Sequence, residues 1–236
     1  MDLTYLIFVM PAVILSMIAS FMVKNRFNTY DKVLSKKGLS GAQAAQLLMR
    51  ANNITDVQIT HISGSLTDNY NPSSKTLNLS DSTYSSTSIA AIGVAAHETG
   101  HAIQHKVGYG PLGLRSTLVP VANIGSRFGP TLAILGIIFG ASAESSASIW
   151  QLVTNIGLLL FGGAVLFYVI TLPVEFDASR RALKILQETN TFDSEELSGA
   201  RKVLWAAAMT YVASALTAIG NLLRLFVLSR NNRNKR

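Results

Sequence analysis

Residues Ile149 to Leu172 run for 24 positions without an Asp, Glu, Lys or Arg. As a helix at about 1.5 Å per residue this stretch reaches ~36 Å, enough to cross a hydrocarbon core of roughly 30 Å. Lipid offers no partner for backbone N–H and C=O groups, so such a run must satisfy them internally and is helical. The rest of the chain agrees with that setting. Of its 236 residues 49% are hydrophobic and only 14% charged, and the mean hydropathy is +0.33, too apolar for an ordinary soluble domain.

The spans divide the chain. Residues 1–23 form an N-terminal transmembrane span, since Leu3 to Val23 is uncharged; the acidic Asp2 and the length of the apolar core argue against a cleaved signal peptide. Lys24, Arg26, Lys32, Lys36 and Lys37 follow, which by the positive-inside rule makes 24–116 cytoplasmic. Residues 117–172 hold two transmembrane or re-entrant segments, the first (Leu118 to Ala143) interrupted by Pro120, Arg127, Gly129 and Pro130. A second cytoplasmic segment, 173–202, precedes an apolar helix or hairpin at 203–228, interrupted by Asn221 and Arg224. An arginine inside a span faces the protein interior or a polar cavity. The basic tail, 229–236, places the C-terminus inside by charge, whereas counting spans places it outside. The net charge of +7 does not point to nucleic acid, because the basic residues gather beside apolar runs and no nucleic-acid motif is present. With no cysteine, disulfides, thiolate metal ligands and thiol catalysis are excluded.

Within the cytoplasmic region, Ser40-Gly41-Ala42-Gln43 opens a short helix to about Ala51, closed by Asn52-Asn53. Val57 to Leu66 and Lys75 to Leu79 read as extended runs, with Asp68 to Ser73 as the turn, giving a hairpin or small sheet. A helix is expected from Ser88 to Lys106, stopped before Gly108.

That helix carries His97-Glu98-Thr99-Gly100-His101, an H-E-x-x-H pattern. Residues four apart share a helix face, so both imidazoles can converge on one Zn²⁺ at about 2.0–2.1 Å. Glu98 is then placed to reach a metal-bound water as general base for attack on a carbonyl. Chance is a poor explanation, because three of the four histidines lie between 97 and 105. A catalytic zinc wants a third protein ligand. His105 lies two turns on from His97, roughly 12 Å along the axis, and fits a supporting or surface role better. His61 falls in the expected hairpin as a strand residue or transition-state donor. A strand beside the zinc helix could also bind a peptide by strand addition. Glu175 and Asp177 are the acidic residues of the first polar turn after Leu172, and either completes a His₂-carboxylate shell. Tyr109, Arg180 and Tyr211 join His61 as oxyanion-donor candidates.

Five segments carry a resemblance over nearly the whole chain. They are Gly64-Ser65-Leu66-Thr67-Asp68, Leu77-Asn78-Leu79-Ser80, Ala95 through His105, Thr171 through Ala182, and Ala206 through Ala213. In these the sequence resembles the YugP-like family of bacterial membrane-bound neutral zinc metallopeptidases. That family is similar to HtpX-type gluzincins, whose third ligand is a glutamate followed three residues later by alanine and then aspartate. Glu175 and Ala178 match; Ser179 stands in place of the aspartate, which leaves open the group that orients the histidines, with Asp177 as one candidate.

The resemblance implies one zinc held by His97, His101 and Glu175, with Glu98 as catalytic base and Asp177, His105 and His61 as possible supporting or oxyanion groups. The expected fold is a mainly α, multi-span helical bundle with a small cytoplasmic α+β, gluzincin-like metal domain carrying the H-E-x-x-H helix. The expected activity is endopeptidase cleavage of protein or peptide substrates, membrane proteins above all, at the cytoplasmic face of the bacterial inner membrane. The partners are then those substrates and the lipid bilayer, without nucleic acid; the sequence sets no oligomeric state. A non-catalytic metal-binding membrane scaffold and a zinc hydrolase of non-peptide amides are the alternatives. An ATP-dependent membrane protease is set aside for want of a phosphate loop, and a site-2-type intramembrane protease because the apolar run before His97 is only about eight residues.

Overall fold

The computed structural model describes residues 3–142 and 147–233. Asp2 at the start of the first expected span, Ala143 at the end of the second, and Lys235 and Arg236 of the basic tail lie outside the described residues. The chain forms seven helices and three strands among the described residues: α1 (Leu3–Phe8), α2 (Met10–Tyr30), α3 (Gly41–Ala51), β1 (Gln58–Ile62), β2 (Asn69–Asn71), β3 (Thr76–Ser80), α4 (Ile89–Lys106), α5 (Gly110–Ser142), α6 (Ala147–Glu188) and α7 (Ser194–Arg233). It is mainly helical, with a small sheet.

Two compact units share these elements. The first comprises residues 1–18, 114–172 and 211–236 and holds the apolar lengths of α5, α6 and α7. Among the described residues these three helices are long and apolar enough to cross a membrane. The expected N-terminal span is divided instead into α1 and α2 at Val9, two positions before Pro11. Glycines set the spacing of α5 and α6. A Cβ on Gly129 would lie 2.8 Å from the Phe161 nitrogen and 2.9 Å from the Gly157 carbonyl oxygen, so only hydrogen allows these backbones to meet. Helices in lipid gain no hydrophobic drive toward one another and depend on such close packing.

The second unit, residues 19–113 and 173–210, carries the sheet and α4. Its core joins Ala44, Ala45 and Leu48 of α3, Leu77 and Leu79 of β3, Ile92, Ala95 and Ala96 of α4, and Ala182, Ile185 and Leu186 of α6. The sheet order is β1-β3-β2, with β1 parallel and β2 antiparallel to β3. Of the expected hairpin or small sheet, the small sheet is what forms. The segment read as pure turn supplies a strand of its own, and the turn is tighter, with Asn71 Oδ1 accepting from the Ser73 and Ser74 amides and Lys75 at φ +51°. Asn and Ser favour this local bonding, so the composition signalled a turn without showing how short it is.

The two shorter helices of the second unit, α3 and α4, begin where the sequence places them. Ser40 caps α3 in a capping box with Gln43, and Ser88 caps α4, accepting from the Ala91 amide at 3.1 Å. The Ser88 hydroxyl also donates to Asp31 at 2.8 Å, which ties the start of α4 to the residue after α2. Two longer helices run further than the sequence suggested. α6 continues through Pro173 to Glu188, because Val174, Ala178, Ala182 and Ile185 extend its apolar face. α7 runs unbroken through Asn221 and Arg224, as a helix and not a hairpin. Replacing Ser88 with Ala is expected to lower the unfolding free energy by about 1–2 kcal/mol, through loss of the cap and of the Asp31 partner. Chaotrope titration in detergent measures it; a change of only a few tenths would mean that the cap does not hold α4.

Candidate metal centre

α4 is packed closely around its two histidines. Alanines and a glycine dominate its first three turns, and Ala90, Ala91, Ala95 and Ala96 are fully buried, so neighbouring elements approach its backbone closely. The helical repeat then sets His97 and His101 on one face, with ring centroids 4.8 Å apart and planes 83° to each other. Glu98 and His101 are buried, and His97 is half-buried.

α6 brings the third group. The Glu175 Oε2 lies 3.2 Å from His97 Nε2 and 3.6 Å from His101 Nε2, and Glu175 itself is 1% exposed. One turn further along α6, the Ser179 hydroxyl meets His97 Nδ1 at 3.1 Å. His101 Nδ1 meets Gln104 Oε1 at 2.9 Å, and the Gln104 amide donates to the Val174 carbonyl at 2.8 Å and to Asp177 Oδ2 at 2.9 Å. Arg181 Nε donates to the same Asp177 oxygen at 2.6 Å, while its guanidinium lies over the Tyr109 ring. Each imidazole therefore has its Nδ1 engaged and its Nε2 turned toward Glu175.

Gly100 makes this approach possible. A Cβ there would stand 2.5 Å from the Ala178 carbonyl oxygen and 3.2 Å from its Cα, both backbone atoms that cannot rotate away. The glycine inside H-E-T-G-H is therefore the point at which α4 and α6 cross, one turn from Glu175.

Glu98 has different surroundings. Burial pushes its carboxyl up to about 7, while His97 and the Tyr70 backbone N–H draw it partly back. Tyr70 belongs to β2, an edge strand of the sheet, and its hydroxyl pairs with His105 Nδ1 at 2.7 Å. Tyr70 thus meets α4 at Glu98 through its backbone and at His105 through its hydroxyl.

Of the residues singled out from sequence, the structure brings His97, His101 and Glu175 together, with one ligand atom of each within 4.8 Å of the others. Asp177 is set back from that group and reaches it through Gln104. His105 is engaged by Tyr70, and His61 pairs with Asp81 at 2.7 Å beside the Tyr84 ring. Arg180 is exposed. Two contacts were not foreseen. Gln104 could have been noticed as a polar residue three positions after His101, on the buried face of α4. Ser179 appeared in the sequence only as a departure from the gluzincin pattern, and here it fills the orienting place at His97.

The family described as "Putative neutral zinc metallopeptidase" matches residues 5–230. This chain belongs to that family. It is also 40% identical over 221 residues to the "Putative membrane protease YugP" of Bacillus subtilis (strain 168), a match covering 94% of each chain. No solved structure matches it. The resemblance seen in the sequence therefore holds, and the family implies zinc.

The donor set fits that ion. Four ligands at about 2.0–2.1 Å in a tetrahedron stand about 3.3 Å from one another. The 3.2 and 3.6 Å separations between Glu175 and the two histidines match this, and the ligand types are the His₂-carboxylate set of catalytic zinc. Gly100→Ala is expected to force α4 and α6 apart, with loss of about 1–3 kcal/mol of stability. Zinc per chain, measured by elemental mass spectrometry, should fall with it. Alanine favours a helix over glycine by up to about 1 kcal/mol. A stabilised variant with full zinc would therefore mean that the two helices do not meet at this residue.

Proposed function

We propose that this protein is a zinc metalloendopeptidase that cleaves membrane proteins, or peptides derived from them, at the cytoplasmic face of the bacterial cell membrane. The observation that carries the reading is the convergence of His97, His101 and Glu175 within 4.8 Å beside a buried Glu98. Three protein ligands leave a fourth position for water or substrate, as catalytic zinc sites do and closed structural sites do not. When bound, the ion supplies Lewis-acid polarisation of the scissile carbonyl and lowers the pKa of water to about 7.

The chain's own residues supply the rest. Glu98, with its carboxyl near neutrality, takes the proton of the attacking water at a carboxylate oxygen and later delivers it to the departing amine nitrogen. Glu175 offsets the positive charge of the ion within the buried site. Ser179 and Gln104 hold the two imidazoles in place. β2, an edge strand beside Glu98, offers backbone groups that an extended substrate can pair with. An edge strand accepts the interior of a chain as readily as its end, which favours an endopeptidase.

The side of the membrane is read from charge. Lys24, Arg26, Lys32, Lys36, Lys37, Arg180, Arg181, Lys184, Arg201 and Lys202 all belong to the unit that holds the site, which favours a cytoplasmic placement. The α5, α6 and α7 helices favour a multi-pass anchor, and lipid-embedded substrates follow from that location.

The test uses the full chain in detergent, assayed for zinc and for cleavage of casein and of a membrane-protein substrate. Glu98→Gln should keep its zinc and lose at least about 10²-fold in rate, the low end of what a general base contributes. Glu175→Ala should lose both zinc and cleavage. A wild type that holds zinc but cleaves no better than Glu98→Gln would instead make the site a metal-binding scaffold.

A further inference from the structure

Gln104 is fully buried, and all three of its contacts are made to fixed partners on α4 and α6. Its amide nitrogen faces two groups that accept hydrogen bonds, the Val174 carbonyl and the Asp177 carboxylate. Arg181 holds that carboxylate in turn. Both N–H donors of the amide are therefore used, which removes the usual ambiguity between amide oxygen and nitrogen. The remaining atom, Oε1, points at His101 Nδ1 and can only accept.

We propose that Gln104 is the positioning residue of His101, holding its imidazole in the Nδ1–H form with the Nε2 lone pair directed at the ion. This rests on the reading of His101 as a metal ligand. A neutral imidazole carries one proton on either nitrogen, and only the form with Nε2 free can ligate through that atom. Gln104 selects that form before any ion arrives. The order of polarity runs from Arg181 as donor, through Asp177 and the amide, to His101 as donor, and no member can be reversed without leaving a buried group unmatched.

His97 is held differently. Its Nδ1 partner is the Ser179 hydroxyl, which can either donate or accept. Ser179 therefore tolerates both ring forms, whereas Gln104 permits one. The two ligands of one ion are thus unequally prepared, His101 by the fold and His97 by adaptation.

The experiment uses full-length protein in detergent with ¹⁵N-labelled histidine. The chain has only four histidines, and His101 is assigned by comparison with His101→Gln. Two-bond ¹H–¹⁵N spectra of the metal-free protein at mildly alkaline pH report the ring form, and competition with a chromogenic chelator reports zinc affinity. In the wild type His101 should be the Nδ1–H form. Gln104→Leu should release it to a mixture of forms and weaken zinc binding by about 10–100-fold, the range for lost supporting contacts.

Gln104→Glu removes both donors and sets a carboxylate against Asp177. The double variant Gln104→Glu/Asp177→Asn restores a donor facing an acceptor, and should recover the Nδ1–H form and zinc affinity to within a few-fold of wild type. Ser179→Ala should leave the His101 spectrum unchanged. An Nε2–H form of His101 in the wild type overturns the proposal, as does a Gln104→Leu protein with unaltered spectrum and affinity. Should Gln104→Leu also lose helical signal, failure of the double variant to recover would reduce Gln104 to packing alone. A wild type with the Nδ1–H form but no affinity for zinc would defeat the zinc reading and leave the role of Gln104 standing.

Discussion

A carboxylate sealed between two imidazoles is the constraint on which the second unit depends. Removing an ionised carboxylate from water costs several kcal/mol even after the protein relaxes, so Glu175 at 1% exposure requires nearby positive charge or strong donors. His97 and His101 stand at 3.2 and 3.6 Å, and an ion coordinated by all three would neutralise the group fully. The rest of the unit serves that meeting. Gly100 lets the α6 backbone come close enough, the alanines of α4 admit its neighbours, and Ser88 fixes where the helix begins. The arrangement places the chemistry at a crossing of two helices, where rotamers are restricted by packing.

Much of this was legible in the sequence because it is local. Ser40 and Ser88 cap helices at the positions read from composition, since an N-cap is a contact between a residue and the next turn. His97 and His101 share a face for the same reason. Glu175 lies 74 positions beyond His101, and the sequence alone left it equal with Asp177; resemblance separated them, and the geometry agrees. Distant pairings were not legible. The parallel match of β1 with β3, and the use of Asn69 to Asn71 as a strand, depend on which segments meet in space. The same holds for Gln104, whose sequence neighbours say nothing about the Asp177 carboxylate 73 residues away.

The expected span ends at Leu172, where the apolar run ends, and Pro173 just beyond it removes a helix donor. α6 nevertheless continues, since Val174, Ala178 and Ala182 each bury a side chain and outweigh one missing hydrogen bond. The consequence is mechanical. One continuous helix carries both an apolar length fit to cross a membrane and Glu175. Of the three convergent groups, the carboxylate is therefore the one whose position is set from within a long helix, while both histidines belong to the shorter α4.

Two glutamates thus share one site and face opposite demands. Glu175 sits where two imidazole nitrogens converge, so its charged form would be matched by an ion shared with them, which suits a permanent ligand. Glu98 is also buried, yet its partners are weaker, the Tyr70 amide and the neighbouring His97, and burial raises its carboxyl to about 7. A group so poised can exchange a proton in either direction near neutral pH, which a ligand carboxylate must not do. On the proposed reading the same side chain serves as an anchor or a base according to what surrounds it. Glu175 faces two imidazoles and the ion they would share, whereas the Glu98 carboxyl is pushed up by burial and by the nearby Glu175 and Asp68 charges.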